Sequence, residues 1–549
     1  MQYVVKLNTM MKESYSFHLL CILMICFFAF FVNNEVIPAD LMESRNLATA
    51  QEMVREGNYL MPTMNGELRI AKPPLPTWIA AAIEHVIPGS LVAQRCAAGV
   101  MATIMVLFIY FLSARLTGKK LIGFLSAVVL ATCFNIVFMG RNATWDIYCH
   151  SFMLGAIYFM VTGFERESDY WQCFMLSGLF MGLSFLGKGP VSFYALLLPF
   201  ILSYIITYKP NVKRKIVPLA VMVAVTLIVS FSWVLYIYMF HEDALLAVAQ
   251  KESSSWISHN VRPFYYYWQF PAEAGIWALF LVTALIFFFV KKNVAMKKEY
   301  KFAVIWFLAS LILLSLIPEK KTRYLLPILI PGAITIALYL YNSIKNLNTK
   351  YEKIVFKANA IIIAIILIAL PVGLYILFFR EDKISLPVLI ITSIISWLLC
   401  FYIFKSILDK RGIRVVNVIG AIVITMIMIE GLCLIPVGQM FINPERHSIR
   451  MLRKNDKVQN LPFFYNKNED LRMELVYEAN KTIRPLDISN DSIISKNKPF
   501  VFVSKLPIDD IFREKDVRVE FIDTFDNNWR KANTKRYNQE LVRQVAIIR

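Results

Sequence analysis

Glu43, Asp146 and a set of lysines and arginines stand beside long apolar runs, where a charge is costly unless it is paired or has a chemical task. Five clusters fit this description. Glu43-Ser44-Arg45 opens a stretch with helical apolar spacing at Leu41, Leu47, Ala50 and Val54. Its carboxylate suits a general base acting on an acceptor group, or a plain helix-start carboxylate favoured by the macrodipole. The second cluster runs from Asn65-Gly66-Glu67 to Lys72-Pro73-Pro74-Leu75-Pro76-Thr77-Trp78. Its prolines fix an extended path without backbone donors. Lys72 held there can meet a phosphate as a point charge, or snorkel beside Trp78. The third cluster, Arg141 to Asp146, precedes a nearly uncharged run, so Asp146 needs a partner if desolvated, or else caps a helix.

The fourth is Lys188-Gly189-Pro190, which either pairs with a charge or phosphate or simply marks topology. The fifth joins Glu252, His259 and Arg262-Pro263-Phe264-Tyr265-Tyr266-Tyr267-Trp268 to Lys320-Lys321-Thr322-Arg323-Tyr324. Aromatic faces among cations suit a lipid-linked phosphate and its sugar, through stacking and charge-assisted hydrogen bonds. They also suit an aromatic belt at the headgroups. A belt alone needs no carboxylates beside its lysines, so the convergence says more than any one cluster.

The elements that must position these residues are membrane helices. The chain of 549 residues is 57% hydrophobic and only 18% charged, with a mean hydropathy of +0.54. Soluble domains carry about 25% charged residues. Using about 20 residues per crossing, we expect about thirteen spans, near 16–33, 93–115, 121–139, 147–164, 172–187, 189–207, 216–240, 273–290, 302–317, 325–341, 356–379, 385–404 and 414–437. The first is read as a retained helix, without a convincing cleavage site after it. The +19 net charge concentrates in short loops: 119–120, 209–215, 291–301, 345–353 and 405–414. With a cytoplasmic N-terminus all of these fall on the cytoplasmic side, the positive-inside pattern, which excludes a basic nucleic-acid face. The candidate residues then share the outer, periplasmic side. The eight cysteines form no CxxC pair and read as small hydrophobes.

The expected fold class is a polytopic α-helical membrane protein with a small C-terminal soluble α/β domain. Residues 1–439 form the transmembrane domain, with interfacial helices in outer loops 34–94 and 241–272. Beyond about residue 440 the apolar runs stop and strand-like segments follow at Phe500–Val503, Val517–Ile522 and Leu541–Ile548, in a periplasmic domain covering 440–549.

Five stretches carry a family resemblance: "MESRNLATAQEMVREGNYLMPTMNGELRIAKPPLPTW", "GRNATWD", "FLGKGPV", "HNVRPFYYYWQFP" and "KKTRYLLPILIP". Together they resemble the lipid A aminoarabinose transferases, C-type glycosyltransferases related to protein O-mannosyltransferases. The motifs cover 16–340, and the later spans agree in layout alone. The resemblance implies a C-type glycosyltransferase fold with thirteen spans, and transfer of a sugar from undecaprenyl phosphate to an envelope acceptor, a lipid A-like lipid first. It implies an inner-membrane protein with its active site facing the periplasm. The family's first outer loop usually carries an Asp-Glu pair. Here the aligned residues are Met42-Glu43, so Glu43 is the carboxylate candidate, with Asp146 matching the second-loop acid.

The candidate donor-binding set is Arg45, Lys72, Lys188, His259, Arg262, Tyr265, Lys320, Lys321 and Tyr324, of which Lys72, His259, Lys320, Lys321 and Tyr324 match family positions. Ala71 replaces an acid that can bind a divalent metal with a later histidine, so His259 is left as the sole matching ligand, with Glu67 or Asp146 able to compensate, and metal dependence is expected to be weak or absent. A nucleotide loop of the GxxxxGK[ST] type is absent, in keeping with a lipid-linked donor. Three other readings stay open: a transporter or flippase of lipid-linked sugars, a protein O-glycosyltransferase acceptor class, and a membrane-anchored envelope-assembly protein whose work lies in residues 440–549. Inverted repeats of the transporter kind are not seen.

Overall fold

The computed structural model describes residues 14–258, 260–291, 294–439, 442–532, 534–535 and 537–549. His259 lies outside the described residues, as does the side chain of Glu252. The chain divides into two compact units: residues 1–34, 71–75 and 95–436 in one, and 35–70, 76–94 and 437–549 in the other. The first outer loop, given to the transmembrane domain by the sequence reading, is thus grouped mainly with the C-terminal residues.

In the first unit each expected span falls on a helix or a bent helix pair. Among the described residues, eight helices are long and apolar enough to cross a membrane. Two bent pairs raise this to ten: Lys120–Ala131 with Phe134–Gly140 at 68°, and Phe264–Glu273 with Gly275–Val290 at 100°. Tyr15–Phe30 and Phe193–Tyr208 are shorter apolar helices. The helix Ile216–Ser258 breaks at His241, whose φ of −149° and ψ of 58° are not helical. That break falls where the apolar run ends.

Small residues set how these helices pack. Trp145–Glu165 and Tyr170–Lys188 form an antiparallel hairpin, closed by a loop of only four residues. Its register is fixed by hydrogen bonds from Ser177 Oγ to the Ala156 carbonyl at 2.9 Å and from Ser184 Oγ to the Cys149 carbonyl at 2.6 Å. On its other side Tyr170–Lys188 meets Ile216–Ser258 through Gly178 and Gly182. A Cβ at either glycine would lie 2.5 Å from Met222 O or Val229 Cβ, inside contact distance. This is the small-xxx-small approach of membrane helices, driven by backbone packing since lipid gives no hydrophobic advantage.

The second unit holds a five-stranded sheet in the order β4-β3-β5-β7-β6. Its strands are β3 Phe463–Asn466, β4 Ile483–Leu486, β5 Phe500–Ser504, β6 Val519–Asp526 and β7 Val542–Ile548. β3 runs parallel to β4 and β5, while β7 is antiparallel to both β5 and β6. Alternate apolar residues, among them Phe464, Phe500, Phe502, Ala546 and Ile548, build the core with Ile494, Ile508 and Phe512 from the short helices. A smaller hairpin pairs β1 Thr63–Met64 with β2 Glu67–Leu68. Asn65 and Gly66 form its turn with φ of 59° and 83°, which is why Asn-Gly stands there.

Candidate active site

The Trp145–Glu165 and Tyr170–Lys188 hairpin brings the start of one helix beside the end of the other. Asp146 lies in the first turn of the former, and Lys188 is the last residue of the latter. Each charge sits where its helix dipole favours it, and the two form an ion pair with side-chain exposures of 1% and 9%. Only Asp146 Oδ1 is used; Oδ2 is buried and has no hydrogen-bond partner among the described residues. Arg323 adds positive charge to the surroundings of this carboxylate. The Lys188 ammonium also lies 5.0 Å from the ring centre of Tyr324.

Gly189, at φ 72° and ψ −150°, ends the helix, and Pro190 restarts the chain. The next turn, Phe193–Leu197, is a π-helix. Its wider winding helps line a cavity of about 650 Å³, together with Pro190, Val191, Leu198, Leu314, Leu316, Ile317 and Pro318. The polar wall is made by His150, Tyr194, Tyr267, Glu319 and Tyr324. His150 lies one turn beyond Asp146, and its Nδ1 is buried without a hydrogen-bond partner among the described residues. Thus a largely apolar chamber has Tyr324, the neighbour of Lys188, and His150, one turn from Asp146, in its wall. That polarity gradient suits a long hydrocarbon chain ending in an anionic head.

The loop between helices Lys297–Leu316 and Thr322–Asn346 completes this wall. A backbone bridge joins Val261 to Glu319, and Arg262 N donates to Pro318 O at 3.2 Å. Lys321 pairs with Glu319 at 2.6 Å and lies 5.6 Å from the centre of the Tyr324 ring. Its backbone N–H donates to the Tyr267 hydroxyl at 3.2 Å.

The expected site residues therefore separate. Asp146 pairs with Lys188, and Lys188 and Lys321 both lie by the ring of Tyr324, which is the one of these four that lines the cavity. The Lys320 ammonium donates to the Ile317 and Arg262 carbonyls at 2.6 and 3.2 Å. It staples two loops, and burial pulls it below the usual lysine range. Arg262 and Tyr265 are exposed. Lys72 is half-buried in the 71–75 segment.

Glu43 and Arg45 belong to the second unit. Glu43 is fully buried in the first turn of Leu41–Glu56, with its backbone N–H on the Asp40 cap at 2.8 Å. The Asn65-Gly66 motif also serves structure there. Glu52 accepts from the backbone N–H groups of Asn65 and Gly66 at 2.7 and 2.8 Å, while the Asn65 amide pairs with both backbone groups of Ile483 at 2.7 Å. Among the described residues, groups of three or more His, Cys, Asp or Glu able to hold a metal ion do not occur. His150 and Glu319 escaped sequence reasoning. His150 has a signal in its i+4 spacing from Asp146 on one helix face; Glu319, a single carboxylate between two helices, has none.

The dolichyl-phosphate-mannose-protein mannosyltransferase family matches residues 71–236. The undecaprenyl phosphate-alpha-4-amino-4-deoxy-L-arabinose arabinosyl transferase of Yersinia enterocolitica is 23% identical over 57% of this chain and 57% of its own length. The same-named Shewanella sediminis protein is 25% identical over 68% of this chain and 70% of its own. The chain thus spans less than two thirds of the length of the first of these relatives. The crystal structure of ArnT from Cupriavidus metallidurans bound to undecaprenyl phosphate superposes with a TM-score of 0.69, at 13% identity, over 97% of both chains.

The class is therefore that of the C-type glycosyltransferase fold, in a multi-pass membrane protein. In fold the chain is similar to that ArnT structure, and in sequence to the arabinosyl transferases named above.

Proposed function

We propose that this protein transfers a sugar from an undecaprenyl-phosphate-linked donor to an envelope acceptor, a lipid A-like lipid, on the periplasmic face of the bacterial inner membrane. The observation that carries this reading is the buried Asp146–Lys188 pair beside a 650 Å³ largely apolar cavity. Apolar walls accept the polyprenyl chain. Lys188 and Lys321 are the cations set to meet its phosphate.

In the reaction the acceptor oxygen bonds to the anomeric carbon as the bond from that carbon to the donor phosphate oxygen breaks. The acceptor proton passes to Asp146, whose Oδ2 is the carboxylate oxygen with no hydrogen-bond partner among the described residues. The phosphate leaves on the polyprenyl chain with its charge held by lysine, and a single displacement inverts the anomeric configuration. One well-placed donor to the developing charge contributes about 3–4 kcal/mol. Glu43, the motif's other carboxylate, is tested by the parallel Glu43→Gln substitution.

Envelope lipids from a deletion strain, compared with the parent by mass spectrometry, should lack one sugar-modified lipid. Purified protein should regenerate it from a polyprenyl-phosphate sugar. An unchanged lipid profile together with release of a glycosylated protein would shift the acceptor to polypeptide. Alkaline phosphatase fused after Met440 should be active; an inactive fusion, with an active cytoplasmic reporter at the same point, would reverse the orientation.

A further inference from the structure

The second unit carries a surface that the transfer reaction does not use. The turn Ile449–Lys454 winds with three residues per turn, so Ile449 and Leu452 point inward, at 0% and 3% exposure. The opposite face presents Arg450, Met451 and Lys454 to solvent, with Met451 58% exposed. An apolar pair, Val86 and Ile87, is also displayed, at 76% and 51% exposure. Arg450 ties the two together by donating to the Gly89 carbonyl at 2.9 Å.

Chain continuity fixes the height of this patch. Gly89 lies two residues before Leu91, where the 27-residue membrane-crossing helix Leu91–Thr117 begins. A residue so close to the start of a crossing helix lies at headgroup level, and the Arg450 guanidinium bonded to it lies there too. The nearby acids offset this charge only in part. Glu84 is buried and accepts from Gly89 N at 3.0 Å. Glu478 is taken up by Arg446 at 3.2 Å. Asp456 is exposed two residues beyond Lys454. Cationic side chains flanking exposed large apolar ones form the chemistry of an interfacial anchor on negatively charged lipid.

We propose that the Arg450–Met451–Lys454 face, with Val86 and Ile87, seats the second unit on anionic phospholipid headgroups. The apolar side chains enter the headgroup–acyl boundary and the two cations meet lipid phosphates. Such a seat holds the unit against the bilayer in which a lipid-linked donor diffuses, and it does not depend on which sugar is transferred.

The full chain is reconstituted in nanodiscs of phosphatidylcholine, with or without phosphatidylglycerol, and amide exchange is followed in segments 84–90 and 449–454. Exchange there should slow several-fold when phosphatidylglycerol is present, while strand β5 exchanges alike in both. The Arg450→Gln/Lys454→Gln variant should lose that difference. At about fivefold per basic side chain, the pair weakens the seat roughly 30-fold. Unchanged exchange in β5 of the variant reports an intact fold. Equal exchange of wild type in the two lipid compositions overturns the proposal, and that comparison needs no variant. A double variant that is folded yet keeps the full lipid-dependent difference overturns the assignment to these residues.

Discussion

Replacing Lys188 by Met removes the cation and leaves Asp146 buried at 1% side-chain exposure with a charge it cannot hydrate. Breaking such a pair from one side costs about 3–5 kcal/mol. Arg323 remains in the surroundings of Asp146, which places the expected cost towards the lower end of that range. Asp146→Asn/Lys188→Met removes both charges, and a buried pair exchanged for neutral side chains is often close to neutral in stability. The double variant should therefore recover most of the stability lost by Lys188→Met, a large coupling in a double-mutant cycle. Activity should not follow stability. Asp146→Asn should reduce turnover about 10²–10⁴-fold, as expected for loss of a general base, and the double variant should stay as inactive. Unfolding in detergent and turnover with a polyprenyl-phosphate sugar measure the two effects separately. Near-normal turnover of Asp146→Asn refutes the base assignment. A Lys188→Met variant as stable as wild type refutes the buried pair.

Arg141 donates to the Phe28, Ala29 and Val32 carbonyls at 2.8, 2.6 and 2.6 Å and meets Glu430 at 2.9 Å. Arg141→Gln should lower thermal stability by about 3–5 kcal/mol, because Glu430 is left buried without this cation; a smaller loss than for Glu430→Gln would contradict this. Gly182→Ala should cost about 1–3 kcal/mol by overpacking against Val229, and an unchanged unfolding midpoint would disprove that tight approach. In the second unit, the Lys467 ion pair and Ser489 hydrogen bonds lower Asp487 from 3.8 to about 2. A depressed carboxylate stabilises the fold above its unfolded value, so this contribution is full above pH 3.8 and fades as pH falls towards about 2. Asp487→Asn should flatten that part of the pH–stability curve read by exchange in β4, and an identical acid limb in both proteins would exclude the linkage.

Hydropathy made the membrane class legible because it is a local property. An apolar run of crossing length has few alternatives to a buried helix. The same locality explains why β5, β6 and β7 were read from the sequence while β3 and β4 were not. β3 and β4 are four residues each, and β4 contains Pro485, which removes the donor expected of a strand. Motif spacing pointed to Asp146, Lys188, Lys321 and Tyr324, since charged residues beside apolar runs are few. It does not separate Lys321 from Lys320, neighbours in one loop whose ammonium groups meet a carboxylate and two backbone carbonyls respectively.

What the sequence determined was the set of helices and the charges at their ends. What only the tertiary structure decided was which charges meet. Asp146 and Lys188 are 42 residues apart, and their pairing depends on the register between two helices. That register comes from close contacts at Gly155, Gly163 and Gly187 and from the hydroxyls of Ser177 and Ser184. The Asn65 turn, whose residues suited a site motif, became a clamp on Ile483, 418 residues away. A side chain's role is set by the partner that packing brings within hydrogen-bond reach, and one-dimensional patterning carries no record of that distance.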